Sequence, residues 1–371
     1  MILKNASVFY NGEFRKLDIQ TKDDSIKTIS ESILDVEDEV MDCTDKLIIP
    51  GLIEVHSHGC IGYDFSTASM EEIERMREYY LSCGITSIAA TTMTMAVEPY
   101  KKAVKNINLA MQKDSKGCRI VGINMEGPFL SKDKKGAHDV NYLIPISEEI
   151  FEELYQLSGE NIKIVDIDPD LEGAMEFIQK YKKELTISLA HTGCSYETAN
   201  QAIDEGANHI THLFNAMNGL HHREPGILGA LVDRDARAEI ICDGVHIHPA
   251  VIRMMFKLCH EKMILISDSM CACGLKDGEY ELGGLPVYVK DRKATTKDGT
   301  IAGSTTNVFE CMVNAIRFGV PMNQAIESAT LIPAKALHME HEIGSIEVGK
   351  KADFVIINQD YELKKVILNG K

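Results

Sequence analysis

The chain has 371 residues, 44% of them hydrophobic and 26% charged, enough apolar mass for one large domain or two ordinary ones. Its formal net charge of -17 repels phosphodiester backbones and anionic lipid, which excludes nucleic acid and membrane surfaces as expected partners. A small anionic ligand would then have to meet a local cluster of Arg, His or backbone N–H groups.

Residues 1–50 are short alternating segments broken by turns: ILKNASVFY, then Asn11-Gly12, FRKLDIQ and SIKTIS. This texture predicts a small β module. No charged-then-apolar leader precedes it, and no apolar run reaches the roughly 18 residues of a membrane span. The 10 cysteines are scattered without a CxxC pair. They are expected to be reduced core thiols, and the compartment the cytoplasm.

From residue 47 onward, short apolar runs recur, each ending in polar or ionisable residues and followed by a helical stretch. In order they are LIIPGLIEVHSH, GITSIAATTM, RIVGINMEGP, IKIVDIDPD, LTISLAHTG, NHITHLFNAM, AEIICDGVH and KMILISDSM. Intervening stretches such as SMEEIERMREYYLSC and SYETANQAIDEGA have helical periodicity behind a serine cap. Eight such units predict an α/β fold, a closed (β/α)₈ TIM-type barrel. A doubly wound open sheet is the rival, but no Gly-rich phosphate loop follows the first run. Residues 277–301 carry turn-rich alternation, expected to form a β-hairpin insertion at the barrel mouth. The tail GSIEVGKKADFVIINQDYELKKVILNGK returns to period-two strands. The expected organisation is a small β-sandwich domain from residues 1–50 and 341–371 around a barrel of residues 51–340.

Reactive groups of such a barrel sit at the C-terminal strand ends. Those ends hold His56, His58, Glu126, His191, His212, His246 and Asp268. Two residues apart on a strand, His56 and His58 share a face and can point at one cation. Imidazole and carboxylate ligands suit Zn²⁺, Fe²⁺, Co²⁺ or Mn²⁺, and no thiolate is placed to force zinc. Asp268, behind a fully apolar run, is a candidate to take a proton from an activated water and deliver it to a leaving amine.

The ordered segments PGLIEVHSHG, MEGPF, KGAH, LAHTG, THLFNAM, REPG, CDGVH, SDSM and IAGS resemble the N-acetylglucosamine-6-phosphate deacetylase family of the amidohydrolase superfamily. The resemblance runs from about residue 45 to the end. It implies metal-dependent removal of an acetyl group from an amino-sugar 6-phosphate, with Zn or Fe as the metal. Glu126, His191 and His212 would bind the main cation, and His56 and His58 would allow a second one bridged by Glu126. Asp268 and His138 would be catalytic. Ala137 and His138 would lie over the acetamido group. Asn215, Ala216, Arg223 and the loop Asp243, Gly244, Val245 and His246 would hold the sugar phosphate, with Ile301, Ala302 and Gly303 closing the other side. Arg223 would reach the neighbouring subunit's site, which implies a homodimer. The fourth run departs from the family, with Ile167-Asp168-Pro169-Asp170 where Ala-Pro-Glu is expected and no lysine for carboxylation. The rival readings are deacetylation of N-acetylgalactosamine 6-phosphate, another amide hydrolase of the superfamily, and a sugar-phosphate-binding regulator without activity.

Overall fold

The computed structural model describes residues 1–34 and 39–371. All eight apolar runs form strands of one parallel sheet, in sequence order: Leu52–Ser57, Ile85–Thr92, Arg119–Glu126, Ile162–Ile167, Thr186–Leu189, His209–Ile210, Arg237–Ile241 and Met263–Ile266. The sheet closes on itself where Ser57 bridges Ser269 in parallel. At this seam the Asp268 N–H donates to the His56 carbonyl at 3.0 Å, and the His58 N–H to the Ser269 carbonyl at 2.8 Å. The carboxylate of Glu54, fully buried, fastens the seam from below: it accepts from the Ser267 hydroxyl at 2.6 Å and from the His56 N–H at 3.1 Å. The seam therefore holds His56, His58 and Asp268 in a fixed mutual register.

Each strand is followed by a helix, from Met70–Ser82 after the first to Val308–Arg317 after the eighth. The serine caps form as expected: Ser69 accepts from the Glu72 N–H in a full capping box, and Ser195 accepts from the Thr198 N–H. Alternation sorts the strand side chains. In Ile162–Ile167, Val165 and Ile167 pack outward with the helices. Ile164 joins an inner cluster with Ile53, Val55, Ala89, Ile241, Ile264 and Ile266, against Ile332 and Ala334 of the late helix Leu331–Ala336. The barrel interior is thus a filled core whose ionisable residues gather at one end, rather than a pore.

The first run, LIIPGLIEVHSH, serves two sheets. Leu47–Pro50 pairs antiparallel with Phe354–Ile357, and Leu52–Ser57 opens the barrel. Both ends of the chain build this seven-stranded sheet, which has its own core around Leu3, Val8, Ile19, Phe354 and Ile367. Arg119 ties the two bodies together through Asp353 and Asn369. The expected hairpin insertion is a three-stranded antiparallel meander, Gly278–Leu282, Leu285–Lys290 and Lys293–Thr296. It packs on Met93, Met270 and Ala302 at the barrel mouth. Among the described residues no helix is long and apolar enough to cross a membrane.

Candidate active site

A cavity of about 300 Å³ opens at the C-terminal end of the barrel strands. Among its lining residues are His58, Glu126, His138, His191, His212 and Asp268, contributed by five strand ends and the loop after the third strand. Its centre is the Glu126 carboxylate, which is buried. One oxygen, Oε1, lies 3.1 Å from His191 Nε2 and 3.0 Å from His212 Nε2. The two imidazole nitrogens are themselves 3.1 Å apart. Three potential ligand atoms thus form a nearly equilateral triangle. Ligands bound tetrahedrally at about 2.0–2.1 Å from one cation stand about 3.3 Å apart, so the triangle has the size of one face of such a site.

The other oxygen of Glu126 turns toward a second group. Oε2 lies 3.2 Å from His58 Nε2 and 3.3 Å from His138 Nε2. His58 Nε2 is in turn 3.3 Å from Asp268 Oδ1. His56, fully buried beneath the cavity, aims Nε2 between Glu126 at 3.6 Å and Asp268 at 3.8 Å. That nitrogen has no hydrogen-bond partner. A buried, unpartnered ring nitrogen directed into a ring of imidazoles and carboxylates fits a divalent cation.

The charges are balanced for this. Burial alone would raise the Glu126 carboxyl, but the imidazoles of His138 and His56 outweigh it and hold the group well below its usual range. Asp268 is likewise pushed up by burial and brought below its ordinary value by the His58 bond and the charge of His56. Burial, reinforced by the neighbouring His138 and His212, lowers His191 to about 4. It is therefore neutral at physiological pH, with Nδ1 satisfied by the Lys134 carbonyl at 2.8 Å.

The backbone at the site is strained. His191, His212 and Asp268 have φ of 44°, 30° and 48°, and Phe214 and Ala216 have 79° and 49°. A β-carbon resists this region by roughly 1–2 kcal/mol per residue, and such outliers cluster where side chains must be aimed. Two glycines allow close approach. A β-carbon on Gly136 would stand 2.9 Å from the His191 ring, and one on Gly303 would stand 3.0 Å from the Asp268 carbonyl. The same segment anchors Asp268, because the Ser304 N–H donates to its carbonyl at 2.7 Å. The IAGS motif is therefore a brace for the SDSM motif.

Of the residues singled out from sequence, His58, Glu126, Ala137, His138, His191, His212, Asn215, Ala216, His246, Asp268, Ile301 and Gly303 line the cavity. His56 lies beneath it. Ala302 is buried behind the wall, in the insertion's core. Asp243 and Val245 stand outside the lining and Gly244 is exposed; Asp243 instead holds His246 Nδ1 at 2.7 Å. Arg223 is exposed in a separate surface hollow with Tyr196, Asn218 and His221. In the IDPD departure, the Asp168 carboxylate accepts the Asp170 N–H at 3.1 Å, forming a local turn away from the cavity. Met93, Phe214, Leu282 and Thr300 also line the cavity and were not singled out. Nor were the buried carboxylates Glu54, Asp166 and Glu239. Their signal was present: a lone acid inside an otherwise apolar strand needs a partner.

Residues 47–371 match the Amidohydrolase family. An N-acetylglucosamine-6-phosphate deacetylase of Bacillus subtilis (strain 168) is 36% identical over 333 residues, 88% of this chain and 84% of that protein. One of Vibrio furnissii is 34% identical over 327 residues, 87% of this chain and 82% of that protein. The solved structure of an N-acetylglucosamine-6-phosphate deacetylase from Pasteurella multocida has a TM-score of 0.94 and 29% identity, covering 100% of this chain and 98% of that one.

Proposed function

The chain belongs to the amidohydrolase family, and from that membership we propose that it removes the N-acetyl group of N-acetyl-D-glucosamine 6-phosphate. The products are D-glucosamine 6-phosphate and acetate, a step of amino-sugar catabolism in the cytoplasm. The observation that carries the reading is the triangle of Glu126 Oε1, His191 Nε2 and His212 Nε2, with sides of 3.0–3.1 Å, beside the Asp268 carboxylate.

Glu126, His191 and His212 would hold one divalent cation, Zn²⁺ or Fe²⁺. His56 and His58, with the second oxygen of Glu126, would hold another. A cation there acidifies water and polarises an amide carbonyl. The rest is assigned to the chain's own groups. Asp268, ionised and at the cavity wall, takes the proton of the attacking water. The same carboxyl then gives that proton to the sugar nitrogen, so a neutral amine leaves. His138 donates to the carbonyl oxygen as negative charge grows there. Ala137 lies over the acetamido group. Asn215, Ala216 and His246 hold the sugar, with Ile301 and Gly303 on the opposite wall and Ala302 behind them. Asp243, Gly244 and Val245 set the position of His246. The phosphate is remote from the scissile bond, so its binding energy can orient the acetamido group. Arg223 supplies the phosphate grip from a neighbouring subunit of a homodimer, a role suited to its planar, two-pronged guanidinium.

The test is acetate release from both amino-sugar 6-phosphates by metal-stripped enzyme, with Zn²⁺, Fe²⁺ and other cations returned one at a time. Turnover of N-acetylglucosamine 6-phosphate only after metal return is the expected result. Undiminished turnover without metal, or none on either sugar, would overturn the proposal.

A further inference from the structure

One buried side chain outside the cavity touches both halves of the candidate metal centre. Glu239, in the seventh barrel strand, is fully buried. Its Oε2 accepts from His56 Nδ1 at 2.9 Å and from the His212 N–H at 3.0 Å. Its Oε1 is 3.0 Å from His209 Nε2. A carboxylate can only accept, so a bond from His56 Nδ1 puts the ring proton there and leaves Nε2 as the lone pair. Nε2 is the atom that faces Glu126 and Asp268 at 3.6 and 3.8 Å. The second bond acts on backbone. His212 has φ of 30°, a conformation a side-chain-bearing residue resists, and a charge-assisted bond to its N–H offsets that strain. His209 clamps the carboxylate from the other side.

We propose that Glu239 is a positioning residue that sets the ring of His56 in one ligand group and the backbone of His212 in the other, so that a single buried carboxylate governs cation affinity at both. The inference rests on the metal-centre reading above. Glutamine in its place keeps the shape but offers one acceptor oxygen and an NH₂ group. The two bonds on one oxygen and the third on the other can then all be kept only if His209 moves its proton to Nδ1, a buried nitrogen without a partner, and accepts from that NH₂ group. Where that burial is resisted, His56 changes tautomer and presents a proton at Nε2, or the His212 turn loses its anchor.

The experiment is a Co²⁺ titration of metal-stripped full-length protein, read by visible absorption, with the thermal melt of the stripped protein recorded in parallel. Glu239→Gln is expected to weaken Co²⁺ binding roughly 10–100-fold and to change the shape of the absorption bands. A Glu239→Gln protein that melts lower yet binds Co²⁺ within twofold of the parent, with the same bands, has lost only packing, and the proposal is wrong. Should Glu239→Gln yield no folded protein, His209→Leu decides, because it leaves the carboxylate in place and removes the donor that clamps it. A Co²⁺ affinity at least threefold weaker supports the proposal and an unchanged one overturns it. A parent protein that binds no Co²⁺ would instead sink the metal-centre reading itself.

Discussion

Replacing Asp268 with asparagine isolates proton transfer from everything else this residue does. Asp268 sits at φ of 48°, and asparagine is among the few residues that tolerate this region as readily as aspartate. Its backbone bonds, N–H to the His56 carbonyl and carbonyl from the Ser304 N–H, are untouched by the change. The amide oxygen can keep the contact that Oδ1 makes with His58 Nε2 at 3.3 Å. The triangle of Glu126, His191 and His212 does not involve the residue. What disappears is the capacity to accept a proton and return it. General acid–base participation contributes about 10²–10⁴-fold, so kcat should fall by that factor, about 3–5 kcal/mol of barrier. Steady-state acetate release and elemental analysis on the same preparation measure both quantities. A kcat within threefold of the parent, with at least one equivalent of metal retained, would refute the reasoning and remove Asp268 from the proton path.

Chelation should abolish turnover and lower the melting temperature by a few degrees, since a ligand present at 100 times its Kd stabilises the fold by about 2.7 kcal/mol; a melt unaffected by chelator and by added Zn²⁺ would count against a bound cation. Arg223→Ala should raise KM for the 6-phosphate tenfold or more while kcat changes little, and sedimentation should show the dimer the proposal requires; an unchanged KM removes Arg223 from the phosphate site. Gly136→Ala places a β-carbon 2.9 Å from the His191 ring at a φ of 55°, so it should weaken metal retention and cost about 1–2 kcal/mol in a denaturant melt; normal metal content would show that the loop yields. Among the 10 cysteines only Cys83 is not buried, so a thiol reagent should label at most one per chain quickly in the native state and ten after unfolding.

The barrel was legible because strands covered on both faces leave continuous apolar runs, and eight such runs followed by capped helical stretches admit few other arrangements. The site was legible in part for a related reason. In a parallel barrel every C-terminal strand end faces the same opening, so His58, Glu126, His191, His212 and Asp268 meet there however far apart they lie in the chain. The remainder depended on partners that no local pattern names. LIIP and LIEVHS share one texture, and only pairing with Ile2–Tyr10 on one side and Phe354–Ile357 on the other assigns the first to the terminal sheet. The three antiparallel strands of the insertion are set by packing on Met93, Met270 and Ala302. Glu239 appears in sequence only as an acid inside an apolar strand; its work is defined by His56, His209 and His212, which come from two other strands. Residue type and spacing thus determined which groups could ligate and titrate. The tertiary structure decided which atom of each faces which neighbour, because tautomers, left-handed turns and close glycine contacts are settled by the groups that press on them from elsewhere in the fold.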